Sequence, residues 1–261
     1  MSFTKYIMSL TTIPSRINSV ENTIQSLVEQ TLKPEKIVLN LPKIYNFRFN
    51  SSIQDLHIKK LLNKYNDKII INYVDDDYGP GTKLLGLIKS KIINMDIKDT
   101  YIVLVDDDHI YKPYMLEYFD NYNKKEYDNK LEVSSYYSFI YHNLRNNSQI
   151  MIGQGGDGFF IKPELLNKFE DYYDIIKNYE IINYHDDYYI SNYFHLKQIP
   201  INYIIPPYDS LIYIKDTSSY SNALTQLENI YHRDTLNYML NKLLNELKNK
   251  GKFDNIIHGR I

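Results

Sequence analysis

YIVLVDDDHIYKP, residues 101–113, sets an unbroken apolar run against three consecutive aspartates. Five bulky residues with no polar alternation describe a strand covered on both faces, as in a parallel sheet. The aspartates mark where that strand leaves the sheet. Three neighbouring carboxylates repel one another, so the triplet needs a reason beyond the turn itself. A second triplet ends another apolar run, IIINYVDDDYGPGTK at 69–83. The two are either copies of one device, halves of one site, or two acidic turns.

Working outward from the first triplet, strands and helices alternate. KYIMSLTT (5–12), KIVLNLP (36–42) and KIIINYV (68–74) read as strands. Asn18 with Glu21 is a capping pair for a helix carrying Ile24, Leu27 and Val28 on one face. A second helix is expected around 52–65. A third opens with Thr82 as its cap and places Leu84, Leu87, Ile88 and Ile92 at helical spacing. This alternation predicts an α/β fold: a mostly parallel sheet with a Rossmann-like N-terminal half and helices on both faces. Ligands on such sheets bind beyond the carboxyl ends of the strands, where both triplets fall.

The second half is less regular. EVSSYYSFIYH (132–142) and QIMIGQGGDGFFI (149–161) read as strands around a glycine-rich turn. Short helices near 163–173 and 186–196 and a strand INYIIP follow, then an amphipathic helix at 233–250. No proline- or serine-rich linker interrupts the chain, so a single domain, 1–261, is expected.

Composition narrows the function. Net charge is −2 over 261 residues, which offers no basic footprint for nucleic acid. Cysteine is absent, excluding disulfides, thiolate metal sites and a cysteine nucleophile. Neither a signal peptide nor an apolar stretch of spanning length is evident, so a soluble, cytoplasmic protein is expected. The abundance of Ile, Asn, Lys and Tyr, with 27 tyrosines and no tryptophan, is that of AT-rich coding and discounts tyrosine clusters as signals.

Hard divalent cations prefer carboxylate oxygens, and alternate residues leaving a strand point the same way. Asp106 and Asp108 therefore form a candidate metal pair, with Asp107 facing elsewhere; the other reading is an acidic surface turn. Lys83 lies in the first turn of a helix, where a cation is unfavourable unless an anion sits there. It is a candidate phosphate or sugar contact, or else a solvated lysine. His185-Asp186-Asp187 opens another helix, either as a cap or as a general base delivered to the same cleft. Gly153–Gly158 suggests backbone close to a ligand, but lacks dinucleotide-binding spacing.

The ordered set SLTTIPSR (9–16), SLVEQTLKPEKIVLNLP (26–42), DYGPGTKLLG (77–86), VDDDHIY (105–111), GQGGDGFFIKP (153–163) and HDDYYIS (185–191) resembles a GT-A-fold glycosyltransferase of the inverting, family-2-like kind. It covers most of residues 5–210. The resemblance implies a nucleotide-sugar-binding half at about 1–110 and an acceptor-binding half with the C-terminal helix at about 111–261. It implies Mn2+ or Mg2+, a nucleotide-sugar donor, UDP-linked on family grounds, and a glycan, protein or lipid acceptor. Thr11, Thr12 and Arg16 would line the nucleotide pocket, Asp75 or Asp77 would meet the base or ribose, and Lys83 would lie near the diphosphate. VDDDH matches the DxD motif: Asp108 would hold the metal, and Asp106 and Asp107 the ribose, donor sugar or a metal-bound water. Gly155, Gly156 and Asp157 would border the acceptor, with Asp187 or Asp186 as base. His232 is a candidate further metal ligand or a helix cap, and His258 another. A homo-oligomer is left open. Two other readings compete. A HAD-like phosphatase lacks the aspartate it needs after the first strand; a non-catalytic nucleotide-sugar-binding helper keeps the fold without turnover.

Overall fold

The computed structural model describes residues 4–92, 94, 98–143, 148–206, 213–216 and 233–257. The chain runs β1 (Lys5–Thr11), α1 (Val20–Val28), β2 (Lys36–Pro42), α2 (Asp55–Tyr65), β3 (Ile69–Val74), α3 (Thr82–Ser90), β4 (Thr100–Leu104), β5 (His109–Tyr111) and α4 (Met115–Tyr127). It continues through β6 (Val133–Ser135), β7 (Ser138–Asn143), β8 (Ser148–Gly153), β9 (Phe159–Ile161), α5 (Phe169–Ile176), α6 (Asp186–Leu196), β10 (Asn202–Tyr203), β11 (Tyr213–Asp216), α7 (Arg233–Asn249) and α8 (Asp254–Ile257).

Seven strands form the main sheet in the order β10-β6-β9-β4-β1-β2-β3. β4, β1, β2 and β3 are mutually parallel, and only β9 runs antiparallel, between β4 and β6. Period-two alternation divides the core between the two faces. Ile7, Ile102, Leu104, Phe159 and Ile161 pack with Leu84, Leu87, Phe194 and Leu240 from α3, α6 and α7. Tyr6, Met8, Tyr101, Val103 and Phe160 pack with Ile24, Leu27, Ile58, Leu61 and Phe119 from α1, α2 and α4. Each such fully buried side chain contributes about 1.5–3 kcal/mol. The mostly parallel α/β sheet with helices on both faces is therefore as expected.

Several local expectations are corrected. The 132–142 run divides at Tyr136-Tyr137: β6 joins the main sheet while β7 pairs with β8 in a separate hairpin. The 149–161 run is as expected, two strands around a glycine-rich turn: β8, a 3-10 turn at Gly155–Asp157, and β9. Helix α4 went unread because MLEYFDNYNKKEY carries few apolar residues to mark its buried face. No side chain caps α1, whose N-cap position is Ser19 rather than Asn18. Thr82 lies inside α3 and accepts the Tyr78 amide at 3.1 Å, closing the preceding Gly79–Gly81 turn instead. α3 stops at Ser90, where Lys91 enters the left-handed region. Among the described residues no helix is long and apolar enough to cross a membrane.

Candidate active site

The Asp106–Asp108 turn leaves β4 at the carboxyl edge of the sheet and is held from three sides. Thr23 on α1 donates its hydroxyl to the carbonyls of Asp107 and His109, at 2.9 and 2.7 Å. Asp107 is buried against the loop after β1, accepting from Thr12 Oγ1 at 2.5 Å and Arg16 Nη1 at 2.7 Å. Burial pushes its carboxyl up to about 6, although Arg16 pulls the other way. The Asp106 amide donates to the Tyr111 hydroxyl at 2.9 Å, and that hydroxyl donates to the Gly156 carbonyl at 2.8 Å. One tyrosine thus ties the acidic turn to the glycine-rich turn.

Asp106, Asp108 and His109 each offer one ligand atom, all lying within 4.8 Å of one another. Asp108 pairs with Arg16 at 3.0 Å and with His109 Nδ1 at 2.8 Å. Two carboxylates and an imidazole suit a borderline divalent ion such as Mn2+, with Mg2+ favouring the oxygens. The charge supports a fit: five carboxylates, Asp106, Asp107, Asp108, Asp186 and Asp187, face two cations, Lys83 and Arg16. Asp106 and Asp108 belong to this ligand cluster, while Asp107 meets the same Arg16 nitrogen as Asp108 and is bound by Thr12. His232 and His258 lie outside the described residues.

Lys83 is not a solvated lysine. Its side chain is 3% exposed, with Nζ at 2.6 Å from Asp106 and 3.0 Å from Asp186. Burial alone would lower the ammonium, but Asp106, Asp186 and Asp187 hold it well above the usual lysine range. The anions that the helix start required are therefore the protein's own carboxylates. Asp186 and Asp187 open α6, where the helix dipole favours them. Asp187 Oδ1 accepts the Gly155 amide at 2.8 Å, and burial together with Asp186 pushes its carboxyl up to about 8.

The glycine turn is bare because its neighbours leave no room. A Cβ on Gly155 would lie 2.8 Å from Lys83 Nζ, and one on Gly156 2.9 Å from Asp106 Oδ2. Backbone does approach closely here, but what it approaches is the charged cluster. Asp157, on the same turn, is buried.

Behind the cluster, a buried polar ladder crosses three strands. Ser9 on β1 donates to the Lys83 carbonyl at 2.5 Å. Asn40 on β2 donates to Ser9 Oγ at 2.9 Å, and Asn72 on β3 donates to Asn40 Oδ1 at 2.8 Å and to the Gly86 carbonyl at 3.0 Å. α3, and with it Lys83, is fastened to the sheet through these side chains.

The remaining expected residues lie elsewhere. Thr11 turns to its neighbouring strand, donating to the Asn40 carbonyl at 2.8 Å. Asp75 is exposed beside Lys43. Asp77 accepts the amides of Phe47 and Gly79, both at 2.9 Å, and so fastens two loops together.

No protein-family model matches the chain, and no curated protein matches it in sequence. Among solved structures, the mannosyltransferase PcManGT from Pyrobaculum calidifontis, in complex with GDP-Man and Mn2+, matches with a TM-score of 0.50 and 11% identity. The match covers 81% of this chain but 59% of PcManGT. The fold is that of a GT-A glycosyltransferase. A weaker likeness, TM-score 0.41 at 15% identity over 64% of this chain and 48% of the other, is to S. aureus TarS 1–349 in complex with UDP-GlcNAc.

On this GT-A frame, several residues that build the site carry weak sequence signals, among them Thr23 and Asn72. His109 had a signal, standing directly after the triplet. Tyr111 was two residues further on, in an element too short to show periodicity. Ser9 and Asn40 were visible only as polar residues inside apolar runs, at positions whose burial makes them costly unless paired.

Proposed function

We propose that the protein transfers a sugar from a nucleotide-sugar donor to an acceptor hydroxyl, with a divalent cation and inversion at the anomeric carbon. The observation that carries this reading is the Lys83 ammonium, shared by Asp106 from β4 and Asp186 from α6. It gathers a cation-holding cluster and a perturbed carboxyl into one site at the carboxyl edge of the sheet.

Asp106, Asp108 and His109 would hold the ion, which as a Lewis acid offsets the charge developing on the departing diphosphate. Thr12 and Arg16, already fixed by Asp107, would line the nucleotide pocket, with the Asp77 loop as its further wall. Asp187 is the base. It takes the proton of the acceptor hydroxyl while the acceptor oxygen bonds the anomeric carbon and the carbon–phosphate-oxygen bond breaks. A carboxyl at about 8 is matched to this task, because general bases work best near the operating pH. The Gly155–Asp157 turn borders the acceptor, which is a glycan, protein or lipid hydroxyl.

The test is a thermal-shift screen of UDP- and GDP-linked sugars with and without Mn2+, followed by assay of sugar transfer and donor hydrolysis. A donor at a hundred times its Kd stabilises by about 2.7 kcal/mol, or roughly 5–10 °C for a chain of this length. Cation-dependent stabilisation with turnover supports the transferase. Stabilisation without turnover marks the non-catalytic helper, and no stabilisation by any sugar nucleotide refutes both.

A further inference from the structure

The turn that follows β2 is clamped at both ends. Tyr45 donates its amide to the Ser51 carbonyl at 2.8 Å and accepts the Asn50 amide at 2.7 Å. Phe47 donates its amide to Asp77 and packs its ring edge-on against Tyr184, with centroids 4.9 Å apart. The turn therefore spans the Asp77 loop and the segment leading into α6, the two flanks of the proposed donor site.

Inside it, Tyr45 is 2% exposed and its hydroxyl has no hydrogen-bond partner among the described residues. A buried donor without an acceptor is unfavourable and uncommon in a folded chain. The charges that act on this phenol are Asp77 and Asp107. Neither carboxylate serves it. Asp77 is engaged by the amides of Phe47 and Gly79, and Asp107 by Thr12 and Arg16. Two carboxylates also repel any phosphate brought to the same place. An acceptor brought to this hydroxyl from outside would have to be a neutral oxygen. Arg48, on the same turn, is half-buried among Arg16, Tyr184 and Asp77, so two guanidiniums sit close enough to feel each other. Arg16 is already paired with Asp107 and Asp108, and the second guanidinium beside it adds positive charge that favours an anionic group a short distance from the neutral one. A neutral oxygen carried beside an anion describes a nucleoside diphosphate.

We propose that the Tyr45 hydroxyl donates to the nucleoside of the sugar nucleotide, to a base carbonyl or a ribose hydroxyl, making Tyr45 a specificity-determining residue. This rests on the nucleotide-sugar reading given above. No catalytic role attaches to Tyr45, since the leaving diphosphate and the base lie elsewhere in the site.

The experiment uses Tyr45→Phe, which removes one oxygen and keeps the ring. Titration calorimetry compares UDP, GDP, ribose 5-phosphate and inorganic diphosphate, each with Mn2+, on the wild type and the variant, alongside ligand-free melting. The expected result is a ligand-free variant at least as stable as the wild type, because an unpaired buried hydroxyl has gone. The nucleotide that the wild type binds weakens about tenfold, the scale of one neutral hydrogen bond. Inorganic diphosphate is unchanged. Weakening of ribose 5-phosphate in parallel assigns the contact to the ribose, and its absence to the base; both are forms of the proposal. Nucleotide affinity equal in the two proteins overturns it, as does a destabilised ligand-free variant, which gives the hydroxyl a structural partner such as a buried water. Absence of nucleotide binding by the wild type removes the glycosyltransferase reading, and this proposal falls with it.

Discussion

Replacing Lys83 by methionine keeps most of the length of the side chain and deletes its charge. At 2.6 and 3.0 Å, the two contacts of the ammonium represent about 6 kcal/mol of Coulomb attraction each at an effective dielectric of 20. Most of this offsets the cost of burying the ammonium. The loss from removing one partner of a buried pair is about 3–5 kcal/mol, because the other charge is left without compensation. Asp106 is 36% exposed and partly screened by water, while Asp186 is 8% exposed and is not, so the lower end applies. Taking about 3 kcal/mol, and a urea dependence near the upper end of 1–3 kcal/mol per molar, the unfolding midpoint falls by about 1 M at pH 8 without divalent cations. At pH 5 the deficit shrinks, since Asp106 loses the ammonium that holds its carboxyl down and takes up a proton more readily. Urea melts of the two proteins at both pH values, in chelator, make the measurement. A variant with the wild-type midpoint at pH 8 refutes the view of Lys83 as the buried counter-charge of the site.

Asp187→Asn should lower turnover by about 10²–10⁴-fold and leave nucleotide affinity intact; retained turnover removes Asp187 as the base. The same variant has a signature in stability. The folded carboxyl sits at about 8 against an ordinary 3.8, so its contribution is complete below pH 4 and is lost as pH rises through 8. The slope is up to about 1.4 kcal/mol per pH unit. Wild type minus Asp187→Asn, followed by denaturant melts of the cation-free proteins from pH 4 to 8, should show that decline, and a flat difference contradicts the assignment. Gly156→Ala brings a methyl group to 2.9 Å from Asp106 Oδ2 and should displace that carboxylate, weakening Mn2+ binding at least tenfold in a spin-resonance titration. Unaltered Mn2+ affinity would detach Asp106 from the cation cluster.

Much of this architecture was legible because its signals are local. YIVLV and IIINYV are continuous apolar runs ended by aspartates, and their parallel pairing follows from the helices between them. β9 carried no such signal. Phe159–Ile161 is three residues long, and its antiparallel place between β4 and β6 is decided by partners distant in sequence. The 132–142 run misled for a related reason: β6 and β7 are both rich in residues that favour strands, and nothing local says they belong to different sheets. At the site, the acidic residues declared themselves by type and spacing. Their state did not. Lys83 looked the same as a solvated lysine until Asp106 and Asp186 were placed around it, and the perturbation of Asp187 is a property of burial. Tyr45 was lost among 27 tyrosines.

The ladder of Ser9, Asn40 and Asn72 works as an indexing key for the sheet. Hydrophobic residues tolerate sliding, because one buried valine serves almost as well as the next. An amide that must meet a hydroxyl on one strand and an amide on another does not. A slip of β2 by one residue would turn Asn40 to the opposite face and leave several polar groups buried without partners, at about 1–3 kcal/mol each. The same side chains grip the carbonyls of Lys83 and Gly86, so the key fixes the height of α3 as well. Two acidic loops three strands apart thus come to the rim at matched levels because the interior of the sheet admits only one alignment.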